Sequence, residues 1–107
     1  MAVTDEQIEA VRDLFAEVGP ITTRKMFGGL GIYTEGTIFA ILMSDGQLRL
    51  KGAGDMAAWM TSQGWQKWTY VRKSGKAGAM PYWHLPHSAL DDPELATSLA
   101  RRALSHL

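Results

Sequence analysis

Arg24-Lys25-Met26-Phe27-Gly28-Gly29-Leu30-Gly31 places two bases, an aromatic and three glycines within eight residues. These are the parts of a phosphate cradle or of a base-stacking strand. A dinucleotide cradle needs G-x-G-x-x-G after a strand and opening a helix, so that backbone N–H groups and the helix dipole meet the anion. Gly29-x-Gly31 begins that pattern, but Thr34 stands at its third glycine and the segment leads into a strand. Aligned on Lys25, an RNA-stacking element finds Lys25, Phe27, Gly28 and loosely Leu30. It fails at Met26, at Gly29, where a second aromatic should stand, and at Ile32. Without those rings there is nothing for bases to stack on. The reading left is a glycine-shaped lead-in to a strand, with Met26 and Phe27 buried and Arg24 and Lys25 solvated.

His84 and His87 stand three apart, but Pro86 prevents a helix that would present them together. Two histidines without a neighbouring carboxylate make a poor metal site, so no metal or other cofactor is expected. Six serines occur in turns and helices, none within G-x-S-x-G. The carboxylates gather at helix starts, where capping explains them. No catalytic residue is assigned, and an enzyme would need a site that only folding assembles. The absence of cysteine excludes disulfides and thiol chemistry and suits a reducing compartment. No signal peptide opens the chain and no apolar run is long enough for a bilayer, so the expectation is a cytoplasmic protein without membrane contact.

The chain has zero formal net charge, unevenly spread: −4 over residues 1–20, +5 over 21–80 and −1 over 81–107. A basic middle suits docking of an acidic partner. The candidate surface is the Arg24-Lys25 corner, Arg49 and Lys51 on one strand, and Lys73 and Lys76 at a Gly/Ser-rich tip. Tyr82 or Trp83 is its aromatic anchor. Most of the other aromatics are expected in the core. The expected partner is a protein, such as transcription machinery or a second copy. The alternative is nucleic acid on the same basic surface, against which the zero net charge weighs.

The elements that must position these residues are well signalled. The 107 residues suffice for one domain with one core. Thr4 and Gln7 form a capping box, Val3 and Ile8 a hydrophobic staple, and Ile8, Val11, Leu14, Phe15 and Val18 a helical stripe that Gly19-Pro20 ends. Strands follow at Leu30–Thr34 and Thr37–Met43 around a Glu35-Gly36 hairpin, the second apolar on both faces and hence central. After Asp45-Gly46, Gln47–Lys51 alternates, with Leu48 and Leu50 inward and Gln47, Arg49 and Lys51 outward. Asp55 is read as the cap of a short helix to about Gln63. Gln66–Arg72 and Ala79–Leu85 are two further strands, the latter at an edge or bulged because Pro81 cannot donate to a ladder. A last helix opens with Asp92 and Pro93 and runs to the C-terminus with Leu95, Leu99, Ala103 and Leu107 in line. The order α-β-β-β-α-β-β-α predicts a two-layer α+β domain with a mainly antiparallel sheet of about five strands and flanking helices.

R-K-M-F-G-G-L-G-I-Y, T-I-F-A-I-L-M, the D-G turn with L-R-L-K, W-T-Y, M-P-Y-W-H-L-P and L-D-D-P-E-L together resemble the N-terminal domain of the TfoX/Sxy competence regulators, over roughly residues 8 to 104. The resemblance implies a bacterial, cytoplasmic, non-enzymatic domain serving transcriptional control of DNA-uptake genes together with the cyclic-AMP receptor protein. Family regulators carry a second, C-terminal domain, so the expectation is a stand-alone N-terminal domain. Gly52-Ala53 stands where the family has an apolar residue followed by an acidic one.

Overall fold

The computed structural model describes residues 3–26, 29–43, 45–71, 75 and 77–107. Helix α1 (Asp5–Leu14) precedes four strands, β1 (Ile21–Met26), β2 (Gly29–Thr34), β3 (Thr37–Met43) and β4 (Leu48–Lys51). Helix α2 (Gly54–Ser62), strands β5 (Lys67–Val71) and β6 (Ala77–His84), a single turn α3 (His87–Leu90) and helix α4 (Pro93–Leu104) complete the chain. The strands form one antiparallel sheet in the order β1-β2-β3-β4-β6-β5. The α+β class and antiparallel sheet agree with the sequence reading. Strand β1 and turn α3 are additional. Thr22-Thr23-Arg24-Lys25 lacks apolar alternation because β1 is an edge strand, paired only with β2. A lysine on such a strand also discourages unwanted edge pairing.

Local chemistry explains the element ends. The Thr4 hydroxyl accepts from the Gln7 N–H, and Gln7 Oε1 accepts from the Thr4 N–H. Helix α1 ends at Leu14, four residues before the expected Val18, and Phe15 is its C-cap, still buried in the core. Glu35 and Gly36 both take positive φ, as a tight hairpin of this hand requires. The Gln47 N–H donates to Asp45 Oδ1 and fixes the turn into β4. Helix α2 is not capped by Asp55, which lies inside its first turn. Ala53 is the N-cap and makes no side-chain bond. Asp92 caps α4 by accepting from the Leu95 N–H, with Pro93 following. That helix buries Ala96, Thr97, Leu99, Ala100 and Ala103, so its inward stripe is rotated from the expected one and Leu95 is exposed.

Strand β6 is interior, between β4 and β5, rather than at an edge. The bulge alternative is the one realised. The β5–β6 ladder jumps from Lys67–Trp83 to Thr69–Ala79, and Pro81 lies in the gap. On the other side the Pro81 carbonyl accepts from the Gly52 N–H at 3.0 Å, a bond that needs no proline donor. A second irregularity at Ile32/Tyr33 sets Phe39 beside Ala40, both fully buried in the core. Phe39 meets Phe15 edge to face at 5.2 Å between ring centroids.

One core lies between the sheet and the helices, built from α1, α2, α3, α4 and alternate residues of β2, β3, β4 and β6. The most crowded of the glycines described is Gly52. A Cβ there would lie 2.2 Å from Met60 Cε and 2.9 Å from the Trp83 ring. The methionine tip can move, but the buried indole cannot easily do so. Gly52→Ala is therefore expected to cost about 1–3 kcal/mol of stability, read as a lower denaturant midpoint. An unchanged midpoint would show that Met60 and Trp83 repack freely.

Candidate functional site

Strand alternation gives the sheet two unlike faces. Leu30, Ile32, Leu42, Leu48, Leu50 and Trp83 turn toward the helices and join the core. The register then aligns Arg24, Gly31, Ile41, Arg49 and His84 in one row across β1, β2, β3, β4 and β6 on the opposite face. Lys51 lies one row along, paired with Tyr82. This second face carries cations, an imidazole and phenol and indole rings. Ile41, Arg49 and Tyr82 are buried on it although they lie outside the core beneath the helices.

Arg49 is the unusual residue. It was expected to point outward, and it does leave the core, yet it is only 6% exposed. Trp68, from edge strand β5, lies across the face. Its ring centroid is 5.1 Å from Arg49 Cζ, and it meets Tyr82 edge to face at 6.2 Å. Guanidinium over indole is favourable by roughly 0.5–2 kcal/mol. Arg49 Nε donates to His84 Nε2 at 3.3 Å. Arg49 Nη1 is buried and has no hydrogen-bond partner among the described residues. Burial lowers the Arg49 pKa below its ordinary value, with Asp45 acting in the opposite direction. A guanidinium still keeps its proton at neutral pH.

His84 joins this cation to the end of the sheet. Because Nε2 accepts from Arg49, the consistent tautomer carries its proton on Nδ1, which donates to Gln47 Oε1 at 3.1 Å. Burial lowers the His84 pKa, and the Arg49 charge lowers it further, against a smaller opposing effect of Asp45. The unfolded chain takes up this proton at about pH 6.5, while folded His84 resists it. The stability from a neutral His84 is therefore present above about pH 6.5 and is lost as pH falls through the folded value. Denaturant melts from neutral to mildly acidic pH should show a steeper loss for wild type than for His84→Gln. Parallel slopes would contradict the assignment. Burial, and then Tyr33, raise the Tyr82 pKa, so its hydroxyl stays protonated.

The predicted surface residues divide. Arg24, Arg49, Lys51 and Tyr82 share the open face. Lys25 pairs with Leu30 and so projects on the helix side of edge strand β1, where it is exposed. Trp83 faces the helices, is 4% exposed, and has Lys67 Nζ 5.0 Å from its ring centroid. It is a core residue here, not a surface anchor. Lys73, Lys76 and Phe27 lie outside the described residues, as does the Met26 side chain. Sequence reasoning did not assign Trp68, His84 and Gln47 to the site. Trp68 carried a signal in the alternation Lys67-Trp68-Thr69, but its reach to Arg49 depends on β6 lying between β4 and β5. His84 and His87 line the same groove. Among the described residues no three potential metal ligands cluster. No helix described is long and apolar enough to cross a membrane.

These features define a two-layer α+β domain with one face of its sheet in the core and the other bearing guanidinium and aromatic groups. The chain belongs to the TfoX N-terminal domain family, whose profile matches residues 13–107. Over 58 residues it is 33% identical to the DNA transformation protein TfoX1 of Aliivibrio fischeri (strain ATCC 700601 / ES114). That match covers 54% of this chain and 27% of the relative's length.

Proposed function

We propose that this domain is a non-enzymatic, cytoplasmic regulatory module that docks a protein partner on the open face of its sheet, in the control of DNA-uptake genes. The observation that carries the reading is Arg49. A buried guanidinium whose Nη1 finds no partner among the described residues costs stability, so its presence on a face without covering helices fits a role in recognition. Arg24 and Lys51 extend the positive charge, and half-buried Trp68, backed by buried Tyr82, supplies a ring typical of interface anchors. Two copies joined by this face would set like charges against each other, which favours a different protein as the occupant. Family membership and the likeness to a DNA transformation protein support the regulatory setting.

The test replaces the chromosomal copy with Arg24→Glu/Lys51→Glu and, as a control on the exposed side of α4, with Glu94→Lys. Transcripts that change on deletion are then measured. The double reversal should reproduce the deletion pattern, and the helix control should match wild type. Wild-type transcripts from the double reversal would refute docking through this face.

A further inference from the structure

We propose that the open face receives an acidic, extended segment of the partner protein, with one carboxylate binding the Arg49 guanidinium and the adjoining chain lying in the groove beyond His84. The inference rests on the docking reading above and names the chemistry that the docked partner must bring.

Three observations meet at His84. First, Arg49 Nη1 is buried and unpaired among the described residues, and a guanidinium is shaped for a carboxylate. The carboxylate whose field reaches it, that of Asp45, is engaged with the Gln47 N–H. Second, the His84 ring bonds Arg49 on one side and Gln47 on the other. Third, both His84 and Gln47 line a surface groove of about 370 Å³, together with Trp65, Gln66, Pro86 and His87. That lining is uncharged and about half apolar: its amide and imidazole groups suit hydrogen bonds to a peptide backbone, and Leu48, Leu85 and Leu90 suit apolar side chains beside the acidic one. The cation therefore adjoins an uncharged groove through the side chain of His84.

A carboxylate reaching Nη1 must shift the Trp68 indole or draw the guanidinium from beneath it. Trp68 is only half-buried on an edge strand, so it is the group that can move. Phosphate would satisfy the same guanidinium. However, a chain of pI about 6.8 lacks the strong positive field typical of nucleic-acid-binding domains. The observations therefore favour a protein carboxylate.

The experiment titrates the isotope-labelled domain with a blocked oligoglutamate, its glutamine analogue, and an oligothymidylate of matched charge. NMR follows the Arg49 Nε–H, the His84 ring and the four indole N–H signals. Oligoglutamate should move the Arg49, His84 and Trp68 signals together. The glutamine analogue should bind about 10- to 100-fold more weakly, the loss expected for one charge-assisted hydrogen bond. Arg49→Met, with folding checked by its amide spectrum, should lose the Trp68 shift. His87→Ala should weaken binding through the groove. Equal binding of the two peptides, tighter binding of the oligothymidylate, no shift at all, or an unchanged response in Arg49→Met would each overturn the proposal. If Arg24→Glu/Lys51→Glu abolishes the regulatory output while Arg49→Met preserves it, docking on the face stands and the carboxylate assignment falls.

Discussion

Arg49→Met should leave the domain folded, within about 1 kcal/mol of wild-type stability, and remove its regulatory output. Deleting the buried Nη1, which has no partner among the described residues, relieves a penalty of roughly 1–3 kcal/mol. The same change loses the contact with Trp68, about 0.5–2 kcal/mol, and the bond to His84, about 1 kcal/mol. These terms nearly cancel, and methionine is long and flexible enough to fill the space under the indole. Arg49→Ala is a poorer probe because truncation leaves a cavity as well. The two properties are measured separately, stability by denaturant unfolding and output by transcripts of the replaced gene. A large drop in stability would mean that Arg49 acts mainly as a structural plug. A wild-type output in a stable Arg49→Met protein would remove the residue from the docking site.

Phe39→Ala should cost about 3–5 kcal/mol, a large fraction of the roughly 5–15 kcal/mol that holds a domain of this size together. Phe39 has no exposed surface, sits at an irregularity of the central strand, and meets Phe15 beside the end of α1. Its loss empties the junction between sheet and helices, where the adjoining Ala40 to Leu42 are held in two ladders and leave little scope for collapse. The check is the denaturant midpoint, with a slope that stays constant if unfolding remains two-state. A cost under about 1 kcal/mol would show that the helices settle into the space. Because Phe39 lies on the core side, a stabilised background carrying Phe39→Leu should keep the output that Arg49→Met loses.

The outline of this fold was legible wherever one face of an element is apolar. Leu48 and Leu50, the Thr4–Gln7 box and Asp92-Pro93 announced their structures because local chemistry and burial agree there. Strand β1 was not legible, since Thr22 to Lys25 satisfy one ladder at an edge and need no buried stripe. The interior position of β6 was hidden by Pro81, whose bulge lets a non-donor sit inside the sheet.

The site was legible only by half. Arg49 and Lys51 could be placed by alternation, because period-two spacing sets them away from Leu48 and Leu50, whereas Arg24 was named for its charge and Tyr82 for its ring alone. Their association with Trp68, His84 and Gln47 could not, because it follows from β6 pairing with β4 across more than thirty residues of chain. The same spacing argument also shows why Arg24 and Lys25, adjacent in sequence, project to opposite sides of one strand. Trp83 and Tyr82 divide similarly, one to the core and the other to the open face.

The central claim is that a protein partner occupies the sheet face bearing Arg49. It is tested most directly by placing a photo-crosslinking amino acid at position 68 on that face, and at exposed position 98 on α4, in living cells. The account predicts a discrete adduct from position 68 that resists nuclease, disappears in the Arg49→Met background, and is absent from position 98. An adduct formed from position 98 alone, or one from position 68 that nuclease removes, would contradict it.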